Sequence, residues 1–159
     1  MRLTVVGVGR LKDDAERQLV DRYLERLKGG RSIGLSPVAE KEIAEARHAS
    51  ATERQEFEAQ RLLQIARDAD LLVVLDAAGR QFSSASFAKW LGAERDRGAR
   101  HAAFLLGGPD GHGQAALDAA QMRLSLGMMT LPHGLARVLL VEQLYRATTI
   151  LAGHPYHRA

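Results

Sequence analysis

Apolar residues along this chain alternate between two rhythms, one that suits strands and one that suits helices. Residues 2–9 (RLTVVGVG) are rich in β-branched side chains and end in glycines, which predicts a strand. In 13–28, Leu19, Tyr23 and Leu27 recur at every fourth position, the stripe of a helix. Asp13 or Asp14 can cap that helix, and Gly29-Gly30 stops it. Residues 33–39 (IGLSPVA) read as a weak strand, placed at a sheet edge by Pro37. Thr52 and Gln55 stand at capping-box spacing and open a polar amphipathic helix over 52–69. Residues 71–76 (LLVVLD) and 102–106 (AAFLL) are continuously apolar, as strands covered on both faces must be. Between them, AAGRQFSS reads as a loop and 84–97 as a helix ended by Gly98. Downstream come the loop GGPDGHG, a short helix at 114–122, and a third buried strand at 124–131 (LSLGMMTL) ended by Pro132. A long helix at 135–152 leads into the tail GHPYHRA.

Strands and helices in alternation predict an α/β fold, with a mostly parallel sheet of about five strands and helices on both faces. The 159 residues fit a single domain with room for a full core. In such sheets ligands sit beyond the C-terminal strand ends. Three loops converge there: the one after Asp76, the one that starts at Gly107, and the turn around Leu131-Pro132.

Composition narrows the function classes. With 46 % hydrophobic and 26 % charged residues, the chain resembles an ordinary soluble globular protein. No apolar run reaches the roughly 18 residues of a membrane span. The first residues lack the long apolar stretch of a secretion signal, so a cytoplasmic location is expected. The absence of cysteine excludes disulfides, thiolate catalysis and cysteine zinc sites. A net charge of +3 is too small for an autonomous nucleic-acid binder. The 18 arginines against 4 lysines suit bidentate phosphate contacts, and equally reflect a GC-rich coding sequence.

Several segments can carry chemistry. Gly107-Gly108-Pro109-Asp110-Gly111 directly follows a buried strand, where glycines permit either close approach of a ligand or simply a tight turn. Gly7 and Gly9 fail the dinucleotide fingerprint, because Lys12 stands where its third glycine belongs, and are read as structural. The last helix is apolar on more than one side, through Val138–Val141, Leu144, Tyr145, Ala147, Ile150 and Leu151. It is either enclosed within the domain or shared with a second copy, and the short chain favours a homodimer. Glu142 and Arg146 stand at ion-pair spacing. The tail packs His154, Tyr156, His157 and Arg158 around Pro155, residue types that stack on bases, contact phosphate and move protons. His133, His154 and His157 lack metal-site spacing and a clustered carboxylate, so no metal is expected. No G-x-S-x-G elbow supports a serine hydrolase. His48, His101 and His112 form no constellation and are expected to be solvated.

Taken together, GGPDG after a buried strand, LPHGLARVLLVEQLYRATTI and GHPYHR resemble the RlmH family of SPOUT methyltransferases. The opening MRLTVVGVGRLK and the later YLERL are similar to that family's start. The resemblance spans essentially the whole chain and is weakest over 29–65. It implies a single domain over 1–159 with a deep C-terminal trefoil knot, whose cofactor-binding part starts near residue 70. It also implies a homodimer with active sites built from both subunits. The implied reaction is S-adenosylmethionine-dependent methylation of N3 of a pseudouridine in a hairpin of 23S rRNA, on the 70S ribosome or large subunit.

Carried onto this sequence, the family's cofactor contacts fall on Leu75, Gly107, Leu126, Gly127, Met128, Met129, Thr130 and Leu131. The substrate end matches His154, Tyr156, His157 and Arg158, with Arg137 as a further substrate contact. Asp110 stands where many members carry Glu, and Gly134 is a flexible residue that can alter the start of the last helix. The implied chemistry needs in-line positioning, an acceptor for the N3 proton, and stabilisation of negative charge on the base. Arg158 or Arg137 is expected to stabilise that charge, and His157 or Tyr156 to orient the base and relay the proton. Two neighbouring readings are a SPOUT enzyme for another RNA position and a ribosome-associated protein that keeps the fold without the activity.

With modest charge and no separate RNA-binding domain, affinity must come from the assembled dimer on a structured target. A free RNA hairpin is therefore expected to be methylated poorly, and large-subunit or 70S particles well, in a methyl-transfer assay. Equal rates on naked RNA contradict this.

Overall fold

The β-branched run after Met1 forms β1 (Arg2–Val8), buried from Leu3 onward at the heart of a parallel sheet. This computed structural model describes residues 1–12 and 14–157. The Asp13 alternative for the first cap and the role expected of Arg158 lie outside the described residues. The remaining elements are α1 (Ala15–Leu27), β2 (Val38–Ile43), α2 (Ala51–Ile65), β3 (Leu71–Gln81), α3 (Ser84–Asp96), β4 (His101–Leu106), α4 (Gln114–Ala119), β5 (Met122–Ser125) and α5 (His133–Leu151). The strand order is β2-β1-β4-β3-β5, and every pairing is parallel.

Period-two alternation divides the central strands between two cores. Leu3, Val5, Val73, Ala102 and Phe104 face α1, α3 and α5. Val6, Val8, Val74, Ala103 and Leu105 face α2 and α4. The expected α/β architecture with helices on both faces is thus present, and the parallel strands deliver their following loops to one end.

Several boundaries differ from expectation. Residues 33–37 are not a strand. A 3₁₀ turn occupies Lys28–Ile33, the chain reverses at Gly34 (φ +72°), and β2 begins only after Pro37. Leu35 is apolar because it plugs the α1/α5 core from a turn. β2 is nevertheless an edge strand, where Pro37 predicts it. The capping box that starts α2 is Ser50 with Glu53, not Thr52 with Gln55. The expected loop after Asp76 is instead a continuation of β3, which breaks register after Leu75 and rejoins β5 through Arg80 and Gln81. The third buried strand stops at Ser125. Gly127 (φ +139°) turns the chain out, leaving Met128 and Met129 91 % and 85 % exposed.

α5 is buried along much of its length by α1, α3 and the apolar face of the sheet. Leu135 and Leu139 are its exposed apolar residues. A Cβ at Gly134 would lie 1.8 Å from the Glu16 carboxylate, the far end of a flexible side chain that can turn aside.

Arg137 on α5 is completely buried, at 0 % exposure. Its guanidinium donates to the carbonyls of Val8 (3.1 Å) and Gly9 (2.8 Å) at the end of β1. It also pairs with Glu40 (3.3 Å) and Glu42 on β2. His133 Nε2 lies 3.0 Å away, and Arg17 of α1 completes the cluster, 2.6 Å from Glu40. Gly7 makes room for it, since a Cβ at position 7 would fall 2.4 Å from Nη2. Gly7 is thus structural, as its failed fingerprint suggested. Among the described residues no helix is long and apolar enough to cross a membrane.

Removing the buried cation leaves Glu40 and Glu42 with Arg17 alone, at a cost of about 3–5 kcal/mol. Arg137→Leu is expected to lower unfolding free energy by about that amount in urea titrations, and adding Glu40→Gln and Glu42→Gln should recover part of it. A loss below about 1 kcal/mol for the single variant contradicts the network's role.

Candidate functional site

The C-terminal strand ends carry the site. Leu75 and Leu106 are paired across β3 and β4, so Leu75 and Gly107 lie side by side where the sheet opens. The loop from Gly107 folds tightly on itself. A Cβ at Gly107 would meet the backbone of Gly111 at 2.8 Å, and one at Gly108 the Glu58 carboxylate at 2.7 Å. Gly111 adopts φ +87°, and Gly108 bridges to it. The glycines at 107 and 108 thus answer to crowding by the protein itself. α2 holds this loop in place. Arg54 pairs with Asp110 through Nε (2.7 Å) and Nη2 (3.2 Å), and holds the Asp110 carboxyl below its usual pKa. Gln55 donates to the Asp110 carbonyl, and the Gln114 amide donates to Glu56.

That anchored loop projects His112 into the protein. The imidazole lies by the backbone of Leu75 and Leu105, with Asp76 and His133 as titratable neighbours. Both ring nitrogens are shielded and lack a well-formed hydrogen bond. Burial pushes its pKa down to about 4. His112 is therefore not solvated. Nor is His101, which is buried at the opposite end of the sheet beside Thr4 (2.9 Å), Arg2 (2.9 Å) and the Asp68 carbonyl (3.1 Å). Only His48 is exposed as expected, against Phe57.

On the α3/α5 side a cavity of about 240 Å³ opens between the end of β5 and the start of α3, lined by Phe82, Ser84, Leu126, Gly127, Leu139 and Gln143 among others. Of the residues expected to hold the cofactor, Leu126 and Gly127 line this cavity. Leu75 and Gly107 border the His112 cradle. Met128, Met129 and Thr130 stand exposed on the connecting loop, with Leu131 half-buried at its end.

The tail is held rather than frayed. Glu142 and Arg146 form the expected ion pair (2.6 Å), and the Tyr156 hydroxyl donates to the same Glu142 oxygen at 3.1 Å. Arg146 also lies 4.9 Å from the Tyr156 ring centre, and Tyr145 packs edge-on against that ring at 4.8 Å. Burial, followed by the neighbouring Tyr23 and Glu142, raises the Tyr156 phenol above its ordinary pKa. His157 Nδ1 lies 3.5 Å from Arg146. His154 is exposed and accepts the Tyr156 amide (3.2 Å). Gln143 donates to Glu142 (2.7 Å) and accepts from Ser84 (2.8 Å), which links the tail to the cavity wall. The structure thus gathers Tyr156, His157 and His154 at one end of α5. It places Arg137 elsewhere, enclosed and occupied by carboxylates and carbonyls, which does not suit contact with RNA. Sequence reasoning missed Ser84, Gln143 and His112. Among the described residues no group of three or more His, Asp or Glu side chains can hold a metal ion.

A family profile described as "Predicted SPOUT methyltransferase" matches residues 1–157. Proteins named "Ribosomal RNA large subunit methyltransferase H" from Brucella anthropi and Xanthobacter autotrophicus are 46 % and 48 % identical to this chain, each over 160 residues and the full length of both proteins. The fold is similar to a probable methylase family protein from Haemophilus influenzae, with TM-score 0.53 and 10 % identity, covering 99 % of this chain and 70 % of that one.

The depressed His112 has a consequence for stability. An unfolded histidine takes up its proton near pH 6.5, the folded one only near 4. Between those values the unfolded chain binds more protons, so stability falls as pH drops from about 6.5 toward 4. His133, also depressed by burial and by Arg137, adds to the same slope. His112→Gln is expected to flatten the fall, as measured by urea unfolding at stepped pH. Identical slopes in the two proteins contradict the assignment.

Proposed function

From the premise that the chain belongs to the SPOUT methyltransferase family, we infer that it is a large-subunit ribosomal RNA methyltransferase that uses S-adenosylmethionine. Its proposed target is N3 of a pseudouridine in 23S rRNA, within the 70S ribosome or large subunit. The observation that carries this reading is the full-length identity of 46–48 % to proteins named for that activity. The parallel sheet and the elements clustered at its C-terminal end support it.

The residues at the strand ends fit such a cofactor. Leu75, Gly107 and 126–131 would hold it, at the strand ends and beside the cavity that Leu126 and Gly127 line. When bound, the cofactor supplies an electrophilic methyl group. This chain's residues must then position the base, remove the N3 proton and stabilise the resulting charge. Tyr156 is a poor proton acceptor, since its hydroxyl already donates to Glu142 and its pKa is raised. Its role is to orient the tail. His157 is the proposed acceptor, because imidazole is the commonest general base among side chains. His154 contacts the substrate. With Arg137 enclosed in the core, Arg158 is the proposed guanidinium for the anionic base.

A homodimer is proposed, with each site drawing on both subunits. Met128, Met129, Leu135 and Leu139, exposed around the start of α5, support such an interface. A C-terminal trefoil knot and a cytoplasmic location belong to the same reading.

The test is to map the methylated nucleotide after incubating the protein with ribosomes that lack the modification. Methylation at a different position sinks the substrate assignment. In single-turnover assays His157→Ala is expected to slow transfer by about 10²–10⁴-fold, and Tyr156→Phe by less. Unchanged rates in both variants refute the proposed roles.

A further inference from the structure

A cavity beside the tail has no part in the chemistry above. It holds about 300 Å³ between the ends of α1 and α5, with Arg26, Gly29, Ile33, Tyr145, Thr148 and His154 among its walls. His154 is also the tail residue proposed to contact the substrate, so an occupant of the cavity lies next to the RNA that the tail addresses.

Arg26 is the charged group of that wall. Among the described residues no carboxylate lines the cavity, and the neighbouring Glu25 pairs with Lys28 instead. The Arg26 guanidinium lies 5.6 Å from the centre of the Tyr23 ring and 5.7 Å from that of Tyr145. Two such contacts hold a long side chain in place while it stays exposed. Tyr145 packs in turn on Tyr156, so one row of rings joins the cavity to the tail.

A phosphate suits this place badly. Two helices end there, α1 at Leu27 and α5 at Leu151, and the C-terminal ends of their dipoles repel an anion. Thr148 and Thr149 donate their hydroxyl hydrogens to the carbonyls of Tyr145 (2.6 Å) and Arg146 (2.7 Å), so toward a ligand they can only accept. The walls thus combine hydrogen-bond acceptors with a flat cation beside aromatic rings. An unstacked nucleobase matches both, since its N–H edge donates and its face stacks on a guanidinium plane.

We propose that this cavity receives a nucleobase neighbouring the target in the same RNA, stacked on the Arg26 guanidinium. The inference rests on the reading of the tail as the substrate end, and gives the enzyme a second grip on the RNA beside it.

The test is steady-state methyl transfer by the full chain on 70S ribosomes that lack the modification. Arg26→Ala is expected to raise KM for ribosomes by about tenfold. Its kcat and its affinity for S-adenosylmethionine, by calorimetry, should match the wild type, which a folding defect would not allow. Arg26→Lys keeps the charge but loses the plane, and is expected to recover little. A KM shift under twofold in Arg26→Ala overturns the proposal. So does full recovery in Arg26→Lys, which would mark a plain charge contact. A fall in kcat at unchanged KM also overturns it, since that would mark a role in holding the tail. If the wild-type protein binds S-adenosylmethionine but methylates no ribosome, the substrate reading itself fails and this inference falls with it. A normal wild-type rate with an unaffected Arg26→Ala refutes the cavity alone.

Discussion

A single buried guanidinium joins the two halves of this molecule. Arg137 sits on the last helix, yet its partners are the end of β1 and two carboxylates on the edge strand β2. A charge without water is tolerated only when carboxylates and carbonyls replace it, and here four acceptors gather on the two Nη atoms while Nε stays without a partner. That requirement dictates several otherwise unrelated choices. Position 7 must be glycine to leave space, β2 must present Glu40 and Glu42 toward α5, and Arg17 of α1 must share their charge. His133 is drawn into the same cluster. The segment 126–132 therefore ends against a fixed post, whatever its exposed methionines do.

A second polar chain runs the other way along α5. Tyr156 and Arg146 converge on Glu142, Gln143 bridges Glu142 to Ser84, and Ser84 lies at the start of α3 beside the cavity. The short C-terminal segment thus has an address on the body of the protein. Its aromatic packing through Tyr145 and Tyr23 reinforces that placement.

Elements buried on both faces were legible from the sequence, because LLVVL and AAFLL are short, wholly apolar and bounded by turn residues, as central parallel strands are. Elements whose apolar residues serve other ends were not. Ile33 and Leu35 belong to a turn that plugs the core, so the strand read there was displaced toward 38–43. Met128 and Met129 imitate a strand but stand in the open. The capping box was misplaced by two residues because Thr52 and Gln55 repeat the spacing of Ser50 and Glu53. Site residues divide the same way. The tail cluster was visible from local composition. Arg137 was expected at the substrate through the family resemblance, while its neutralising carboxylates lie 95 and 97 positions away. The burial of His101 and His112 is a product of tertiary packing, with no local pattern to betray it.

The contact between Gly134 and Glu16 reaches beyond this one chain. A residue with a Cβ can enter position 134 only if the carboxylate at position 16 is shortened or redirected. Turning that side chain aside costs little, so this seam between the first and last helices can yield without moving backbone. A chimera that exchanges the first helix but keeps the last can therefore settle here by a change of one rotamer.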